Sequence, residues 1–293
     1  MRLEKLAVRG SRSSYGLVIY GQAHLEELQV SGNGESGLYV KGSAQVSLKD
    51  SEVSDNRDNG FVVVDFAEVS LQDSAVSDNW RDGLRVGDSA QVSLSKSQVF
   101  SNGESGLEVR GSAEVSLQDS AVSDNWRDGL RVVGSAKVSL QDSTASGNRG
   151  SGLFVRDSAR VSLINSQVYG NGDDGLRVVG SAKVSLENST VSDNGEEGLL
   201  VMGSAWVSIK GSLIEGNGTA GVSKMGWTCS GIEVRDEAYV ELTNTTIRNN
   251  TDWGITAWLE RCGSWTDNFT GTVLWEGRGN EIYDNGKGDV CLP

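Results

Sequence analysis

The sequence has almost no proline and almost no histidine: Pro293 is the one proline and His24 the one histidine among 293 residues. Proline removes a backbone hydrogen-bond donor, so its scarcity fits an architecture with few places for a missing donor. With a single histidine, neither a histidine dyad nor a histidine-rich metal site can form. A Ser–His–Asp triad would depend on His24, and no G-x-S-x-G motif accompanies it, so we predict that His24 is a surface residue.

Basic charge and long apolar runs are also lacking. The 26 Lys and Arg residues face 40 Asp and Glu residues, which gives a formal net charge of −14. This balance argues against a general nucleic-acid-binding protein, which needs a basic face, and favours solubility and bound cations. No run approaches the ~18 apolar residues of a membrane-spanning helix. The first ten residues lack the apolar core of a signal peptide.

Cysteine is confined to the last quarter of the chain, at Cys229, Cys262 and Cys291. The spacing lacks the paired ligands of a zinc site. An odd count allows one disulfide, for which Cys262–Cys291 is our prediction and Cys229–Cys262 the alternative; either fits a secreted or cell-surface protein. Because LEKLAV at residues 3–8 parallels LEELQV at residues 25–30, we expect the chain to begin partway round a repeat, with a signal or N-terminal region preceding it in a longer protein.

A 23-residue repeat is the main feature that is present. Its opening glycine occurs at Gly37, Gly60, Gly83, Gly106, Gly129, Gly152, Gly175, Gly198 and Gly221. If that glycine is position 1, apolar residues recur at positions 2 and 4, then at 8, 10 and 12, and then at 17. Each group alternates with a period of two, so each repeat predicts three short strands with one buried face.

Three strands in one repeat leave room only for tight turns, and successive repeats carry the strands in the same order and direction. We therefore predict an all-β fold: a right-handed, single-stranded parallel β-helix of about 11 coils, rising about 4.8 Å per coil. Within one continuous domain, residues 1–36 are predicted to form irregular entry coils and residues 37–220 eight regular coils. Residues 221–293 are predicted to form C-terminal coils with loop insertions and a cap.

From residue 16 to residue 285 this pattern resembles the right-handed parallel β-helix families of the pectate-lyase type, which include polysaccharide lyases and epimerases. The resemblance implies the fold and says little about activity, because such folds carry many functions. The paired carboxylates of β-helix glycosidases are missing from the sequence. The Asp-Pro-His motif of the epimerases is also missing, because Pro293 is the only proline.

Position 20 of the repeat is an asparagine in every regular coil. The column contains Asn56, Asn79, Asn102, Asn125, Asn148, Asn171, Asn194 and Asn217, with Asn33 before it and Asn250 after it. Stacked at strand spacing, these amides can hydrogen-bond to the next coil, so we predict a structural asparagine ladder. The alternative is a row of ligand-binding amides, although functional residues need not repeat in every coil.

Outward positions 3 and 5 of the first strand form a charged stripe beside an acidic turn. The stripe contains Arg85, Glu108, Arg110, Arg131, Arg156 and Arg177, and the turn contains Asp82, Asp128, Asp173, Asp174, Glu196 and Glu197. In polysaccharide lyases of this fold, the same general region holds calcium-binding carboxylates and a basic residue. The resemblance therefore implies calcium as a cofactor, with Asp82, Asp128, Asp173 and Asp174 as candidate ligands. The structural alternative is a solvated ladder of alternating charges.

Two tryptophans, Trp80 and Trp126, occupy the same turn position two coils apart, each within the motif SDNWRDG. Two strand spacings place them about 9.6 Å apart, a separation at which exposed rings can stack on alternate faces of a sugar chain. The adjacent residues Arg81, Asp82, Arg127 and Asp128 would bind hydroxyl groups, and Arg85 and Arg131 follow them on the first strand. Alternatively, each indole covers the backbone of the intervening Gly103.

The near-identity of the coils leaves no site more elaborate than the repeat, so we predict no catalytic residues. The favoured hypothesis is a non-catalytic extracellular β-helix scaffold, structural or adhesive, with weak carbohydrate binding and a polysaccharide as partner. The alternative hypothesis is a calcium-assisted lyase or related enzyme acting on an acidic polysaccharide. Nucleic-acid binding and a membrane span are not expected, and the sequence does not predict an oligomeric state.

Overall fold

The computed structural model describes residues 1–220 and 229–293. The chain divides into two compact units, Met1–Ala145 and Ser146–Pro293. Both consist largely of short parallel strands, and the one helical element among the described residues is a 3₁₀ turn at Glu260–Cys262. No helix in this part of the chain has the length and apolar character needed to cross a membrane. The repeat glycine Gly221 lies outside the described residues.

The first unit contains strands β1 to β19. Their bounds are β1 Arg2–Glu4, β2 Ala7–Arg9, β3 Leu17–Ile19, β4 Ala23–Glu26, β5 Gln29–Ser31, β6 Leu38–Val40, β7 Gln45–Lys49, β8 Glu52–Ser54, β9 Phe61–Val63, β10 Glu68–Gln72, β11 Ala75–Ser77, β12 Leu84–Val86, β13 Gln91–Ser95, β14 Gln98–Phe100, β15 Leu107–Val109, β16 Glu114–Gln118, β17 Ala121–Ser123, β18 Leu130–Val132 and β19 Lys137–Gln141.

Strand β20, Thr144–Ser146, contains the boundary between the units, and the second unit contains β21 to β36. Their bounds are β21 Leu153–Val155, β22 Arg160–Ile164, β23 Gln167–Tyr169, β24 Leu176–Val178, β25 Lys183–Glu187, β26 Thr190–Ser192, β27 Leu199–Val201, β28 Trp206–Lys210, β29 Leu213–Glu215, β30 Ile232–Val234, β31 Tyr239–Thr243, β32 Thr246–Arg248, β33 Trp253–Ala257, β34 Thr272–Leu274, β35 Glu281–Tyr283 and β36 Gly288–Cys291.

In each unit the strands form three parallel sheets. Sheet I contains the strands that follow the repeat glycine, ordered β3-β6-β9-β12-β15-β18 in the first unit and β21-β24-β27-β30-β33-β36 in the second. Sheet II contains the longer V-S-L strands, ordered β1-β4-β7-β10-β13-β16-β19 and β22-β25-β28-β31-β34. Sheet III contains the strands before the asparagine, ordered β2-β5-β8-β11-β14-β17 and β23-β26-β29-β32-β35. The predicted all-β parallel solenoid with three strands per coil is confirmed.

The strand register equals the sequence repeat, so identical residues stack on one another. In sheet II, Val69 lies opposite Val92 and Leu71 lies opposite Leu94. These apolar side chains are at most 3% exposed. The polar residues between them, such as Ser70, point outward. Alternation along each strand therefore buries one face, and the hydrophobic effect stabilises the stack coil by coil.

The repeat glycine is required by lack of space rather than by an unusual backbone conformation. A Cβ atom on Gly106 would lie 2.4 Å from Cγ1 of Val122, 2.8 Å from Nδ2 of Asn125 and 2.8 Å from the carbonyl oxygen of Gly129. Two of these three contacts are to groups that are themselves fixed by the fold, the ladder amide and the backbone of the next coil. Any larger residue would therefore displace the coils from one another.

The asparagine ladder is confirmed within each unit. In the first unit, Nδ2 of Asn79 donates to Oδ1 of Asn102 at 3.0 Å and to the carbonyl oxygen of Ser77 at 2.9 Å. Oδ1 of Asn79 accepts the backbone N–H and the Nδ2 of Asn56, at 3.2 and 2.9 Å. Each amide thus satisfies buried backbone groups in its own coil and links two coils.

In the second unit the ladder continues after the repeat period is broken. Nδ2 of Asn217 donates to Oδ1 of Asn250 at 2.9 Å, although 33 residues separate the two. Asn250 in turn donates to Oδ1 of Asn285 at 2.9 Å. The ladder therefore holds the coil spacing where the chain contains an insertion.

A buried serine column at repeat position 15 was not predicted from the sequence. The backbone N–H of Ser74 donates to Oγ of Ser97 at 3.2 Å, and the backbone N–H of Ser97 donates to Oγ of Ser120 at 3.1 Å. Each hydroxyl donates to a carbonyl two residues earlier, as Ser97 does to Ser95 at 2.9 Å. The preceding corner residue adopts the left-handed conformation (φ 48° to 50° at Asp73 and Asp119), which Asp and Asn tolerate better than most residues.

The end of the second unit is linked by a disulfide between Cys262 and Cys291. The disulfide lies beside a small cluster of buried residues that includes Ala257 and Leu259, with Phe269 packed against it. Cys229 is buried and takes no part in this disulfide. The disulfide joins the segment that follows β33 to the last strand, β36. It therefore limits separation of the final coil from the coil before it.

We expect Leu140→Ala to lower the free energy of unfolding by about 2–5 kcal/mol, because the substitution leaves a cavity at a side chain that is 1% exposed. The neighbouring residue Gln141 is exposed at the end of β19, so Gln141→Ala should change stability by no more than about 0.5 kcal/mol. Urea denaturation of both variants measures the difference. Equal losses would contradict the assignment of inward and outward positions.

Candidate functional site

Trp80 and Trp126 lie in equivalent turns of the first unit, two coils apart, with Gly103 at the same position in the coil between them. The turn backbone is fixed by donation from Trp80 N–H to the Asn56 carbonyl at 2.9 Å and from Trp126 N–H to the Asn102 carbonyl at 3.0 Å. The two residues are 66% and 58% exposed. Each indole therefore presents a large accessible surface to the solvent.

Both arginines next to the tryptophans, Arg81 and Arg127, are exposed, and Arg81 also lies near two carboxylates. Arg81 lies 3.5 Å from a carboxylate oxygen of Asp58 and 3.8 Å from one of Glu104. Arg127 is exposed. The guanidinium of Arg57 lies 5.8 Å from the ring centroid of Trp80, a cation–π distance. A ligand stacked here would therefore meet aromatic rings and several hydrogen-bond donors together.

A second group of arginines lies on the outer face of sheet I, immediately after these turns. Pairing of β12, β15 and β18 places Arg85 opposite Glu108 and Glu108 opposite Arg131. The Glu108 carboxylate lies 3.7 Å from Arg85 and 3.8 Å from Arg131, and it also forms an ion pair with Arg110. Glu108 is buried, whereas the three arginine side chains are partly exposed. Three guanidinium groups therefore meet two carboxylates, those of Glu108 and Asp128, which leaves one positive charge for an anionic group.

The residue before each repeat glycine forms a further polar column, which we call the pre-glycine column. Its members are Ser36, Asn59, Asp82, Ser105 and Asp128 in the first unit, and Ser151, Asp174, Glu197 and Ser230 in the second. The backbone N–H of Asp82 donates to Oδ1 of Asn59 at 3.2 Å, and the backbone N–H of Ser105 donates to Oδ1 of Asp82 at 3.0 Å. The column therefore accepts backbone hydrogen bonds from coil to coil.

Burial of Asp82 corrects the expectation that the acidic turn forms a solvated ladder. Asp82 is 4% exposed, and this burial raises the pKa of its carboxyl to about 7, helped by the charge of Glu108 and opposed by the Ser105 hydrogen bond. Its carboxyl points into the pre-glycine column rather than toward solvent. Asp128, by contrast, is half-buried and lies 3.5 Å from Arg131.

In the second unit, three acidic residues come together in two successive turns. Asp174, Glu196 and Glu197 are all buried, and one carboxylate oxygen of each lies within 4.8 Å of the other two. The backbone N–H of Glu197 donates to Oδ1 of Asp174 at 3.3 Å, and Arg177 lies 3.8 Å from Oδ2 of Asp174. Asp173 is only partly buried. Among the described residues, Asp174 is the one predicted calcium ligand that belongs to such a group.

Two of these carboxyls, those of Asp174 and Glu197, have pKa values above their usual range. Burial raises the pKa of Asp174 to about 7, an effect that Arg177 reduces. Burial also raises the pKa of Glu197 well above its usual value, and the charges of Asp174 and Glu233 add to the rise. Two buried carboxyls side by side favour a shared proton or a bound cation.

Glu233 was not identified from the sequence. It occupies outward position 3 of β30, is buried, and pairs with Arg235, whose guanidinium lies 3.7 Å from the ring centroid of Trp258. The repeat resumes at Gly231 after an insertion, which places Glu233 at position 3 of that coil. The charged stripe predicted from the sequence contained residues of the regular coils only, so it did not include Glu233.

The arrangement as a whole offers binding chemistry in the first unit and a buried acidic centre in the second. His24 lies on the exposed face of sheet II, where its Nδ1 is 2.8 Å from Oγ of Ser47. Among the described residues, no histidine or cysteine joins the acidic group.

The sequence matches the family model described as right handed beta helix region over residues 2–133 and 82–229. These overlapping matches cover more than half of the chain, and the description agrees with the predicted right-handed winding. No protein with a curated description matches the sequence.

Several solved structures share the fold at low sequence identity. A double mutant of the periplasmic alginate epimerase AlgG has a TM-score of 0.69 at 10% identity, covering 100% of this chain and 75% of that one. The A-module of the Azotobacter vinelandii mannuronan C-5 epimerase AlgE4 has a TM-score of 0.61 at 14% identity, covering 93% and 89%. The Dettilon tailspike protein has a TM-score of 0.62 at 13% identity, covering 98% and 61%. At these identities the likeness establishes the fold alone.

We expect Asp82→Asn to stabilise the protein at pH 8 by about 1–4 kcal/mol. The folded pKa of about 7 lies above the usual value of 3.8, so the contribution of this carboxyl is complete below about pH 4 and is lost as the pH rises through 7. An asparagine oxygen at position 82 can still accept the backbone N–H of Ser105, just as Oδ1 of Asn59 accepts the backbone N–H of residue 82. Urea denaturation at pH 5 and pH 8 should show a gain that grows with pH.

The control is Asp119→Asn at an exposed corner of the same unit, where the second unit carries Asn165 in the same conformation. It should show no comparable pH-dependent gain. A gain at Asp82→Asn that is the same at both pH values would contradict the assignment of a raised pKa.

Proposed function

This chain belongs to the right-handed β-helix family, and we propose that it is a non-catalytic extracellular scaffold that binds an acidic polysaccharide. The binding surface in this proposal is the tryptophan–arginine face of the first unit, made of Trp80, Trp126, Arg85 and Arg131 with the adjacent Arg81 and Arg127. The observation that carries the proposal is the exposure of the two indoles, 66% and 58%, at equivalent positions of a rigid repeat.

The spacing of the indoles suits a regular polymer. The turns of Trp80, Gly103 and Trp126 are each hydrogen-bonded to the preceding coil, so two coil spacings, about 9.6 Å, separate the tryptophans. Gly103 leaves the intervening position without a side chain. Alternate residues of an extended sugar chain can then stack on successive indoles, with little conformational entropy lost by the protein.

The arginine group supports an acidic rather than a neutral ligand. Arg85, Arg110 and Arg131 converge on the single carboxylate of Glu108, and their side chains remain 34–48% exposed. Guanidinium groups bind carboxylates through paired hydrogen bonds. A uronate carboxylate can therefore bind beside Glu108 while its sugar ring stacks on the nearby tryptophan. The overall charge of −14 does not prevent this, because local charge and short contacts determine such binding.

Two further observations agree with this proposal. Solved structures with this fold include alginate epimerases, and alginate is a polymer of uronic acids. The Cys262–Cys291 disulfide suits an oxidising compartment outside the cytoplasm. The first observation supports an acidic polysaccharide as the ligand through the shared fold, and the second supports an extracellular location through the chemistry of the compartment.

The alternative function is that of a calcium-assisted lyase or related enzyme, supported by the acidic group with raised pKa values in the second unit. The geometry supports it less well, because Asp174 and Glu197 are completely covered and a polymer would have to contact such groups. The sequence also lacks the Asp-Pro-His motif of the epimerases. Incubation with uronate polymers and calcium tests it: sustained formation of unsaturated or epimerised products would replace the scaffold proposal.

We expect the double variant Trp80→Ala, Trp126→Ala to bind oligouronates about tenfold or more weakly, which corresponds to about 1.4 kcal/mol. Both rings are exposed, so the melting temperature should change little. Calorimetric titration in the presence of EDTA measures the affinity without any contribution from metal ions.

The matched control is Trp265→Ala, because Trp265 is an equally exposed tryptophan in the second unit. This control should bind as the unsubstituted protein does. Undiminished binding by the double variant would remove these tryptophans from the binding surface.

We expect Arg85→Gln combined with Arg131→Gln to weaken the binding of uronate oligosaccharides at least tenfold while leaving the binding of neutral analogues nearly unchanged. The reason is the loss of two of the three cations that face Glu108. Arg156→Gln, which removes an arginine paired with its neighbour Asp157, serves as the control. Equal losses for acidic and neutral sugars would indicate a general structural effect instead of carboxylate recognition.

A further inference from the structure

We propose that Asp174, Glu196 and Glu197 bind one hard divalent cation in the second unit. The site is distinct from the glycan-binding surface proposed above, which lies in the first unit. The resemblance to β-helix lyases implied a different ligand set, in which Asp82, Asp128 and Asp173 took part. The group observed here instead combines the pre-glycine residues of two successive coils, Asp174 and Glu197, with Glu196, which directly precedes Glu197.

The site is built by the coil stacking itself. Asp174 and Glu197 hold the same repeat position in consecutive coils, and the donation of Glu197 N–H to Oδ1 of Asp174 at 3.3 Å fixes the two turns together. The Glu196 N–H donates to the carbonyl of Asp173 at 3.1 Å and anchors the third ligand. One carboxylate oxygen from each acid then lies within 4.8 Å of the others, a span that a single ion can bridge.

Buried carboxylate oxygens at this site receive no hydrogen bond from the described residues. These are Oδ2 of Asp174, which has only the Arg177 guanidinium 3.8 Å away, and both carboxylate oxygens of Glu197. Ionised carboxylates cannot donate to one another, and a buried charge without a partner costs several kcal/mol. A cation among these oxygens would supply the missing interaction.

The acids at Asp174 and Glu197 are not required for coil stacking, because other coils have asparagine or serine at the same position of the pre-glycine column. Asn59 and Ser105 occupy that position in the first unit, and Ser151 and Ser230 do so in the second. Stacking therefore does not require an acid. Successive acids occur at Asp174 and Glu197, the pair with uncompensated oxygens.

The charge balance indicates the type of ion. Three ionised carboxylates beside the Arg177 guanidinium leave two negative charges. Glu233 does not alter this balance, since it forms an ion pair with Arg235. All-oxygen carboxylate ligands favour Ca²⁺, Mg²⁺ or Mn²⁺ over metals that prefer nitrogen and sulfur.

The test is titration of the full chain, first stripped with EDTA, with CaCl₂, MgCl₂ and MnCl₂ separately at pH 8. We expect one saturable site per chain for at least one cation and a rise of several degrees in melting temperature. Bound Mn²⁺ measured by electron paramagnetic resonance gives a direct count that does not depend on any variant. Absence of saturable binding for all three cations would overturn the proposal and leave shared protons as the way in which these carboxyls are neutralised.

Glu197→Gln assigns the site, because an amide keeps the shape of the side chain and removes its charge. We expect at least tenfold weaker binding, whereas the control Glu187→Gln should bind normally, since Glu187 is paired with Lys210 at the surface. If Glu197→Gln fails to fold, Glu196→Gln and the manganese count on the unsubstituted chain provide the decision. Unchanged affinity in both glutamate variants would place the cation elsewhere.

Discussion

The asparagine ladder is the interaction on which the rest of the structure depends. Each amide, as at Asn79, joins its own turn to the coils on both sides and is almost completely buried. Losing one amide would leave several buried backbone groups without partners, at about 1–3 kcal/mol for each group. The ladder also crosses the inserted segment between Asn217 and Asn250, so it holds the coils in register where the sequence repeat alone does not.

A few positions of the repeat supply the contacts that hold the coils together. The residues at the remaining positions can therefore vary and can have functional roles. The pre-glycine column illustrates this. Asn59 and Ser105 meet its structural requirement with neutral groups, whereas Asp82 and Glu197 place acids in the same buried environment and acquire raised pKa values. In the outward turns the same freedom exposes Trp80. One repeat therefore generates both an aromatic outer surface and a buried acidic centre, without any change of fold.

The fold was predictable because its determinants recur at fixed intervals. The space around Gly106 and the amide of Asn79 impose the same residue in coil after coil, so a single sequence displays the constraint many times. Burial of Asp82 was not predictable, because its column mixes serine, asparagine and acids and lies in a turn where inward–outward alternation does not apply. Glu233 was missed because the charged stripe was defined on the regular coils, whereas Glu233 lies in a coil that follows an insertion. The exposure of Trp80 depends on side-chain direction, which spacing alone leaves open.

The central functional claim is that a uronate polymer lies along the tryptophan–arginine face of the first unit. Hydrogen–deuterium exchange with and without a saturating oligouronate, in EDTA, tests this most directly, because it locates contacts without any substitution. We expect slower exchange in peptides that contain residues 78–87 and 124–133, with little change in the second unit. Protection confined to the second unit, or no protection at saturation, would contradict it.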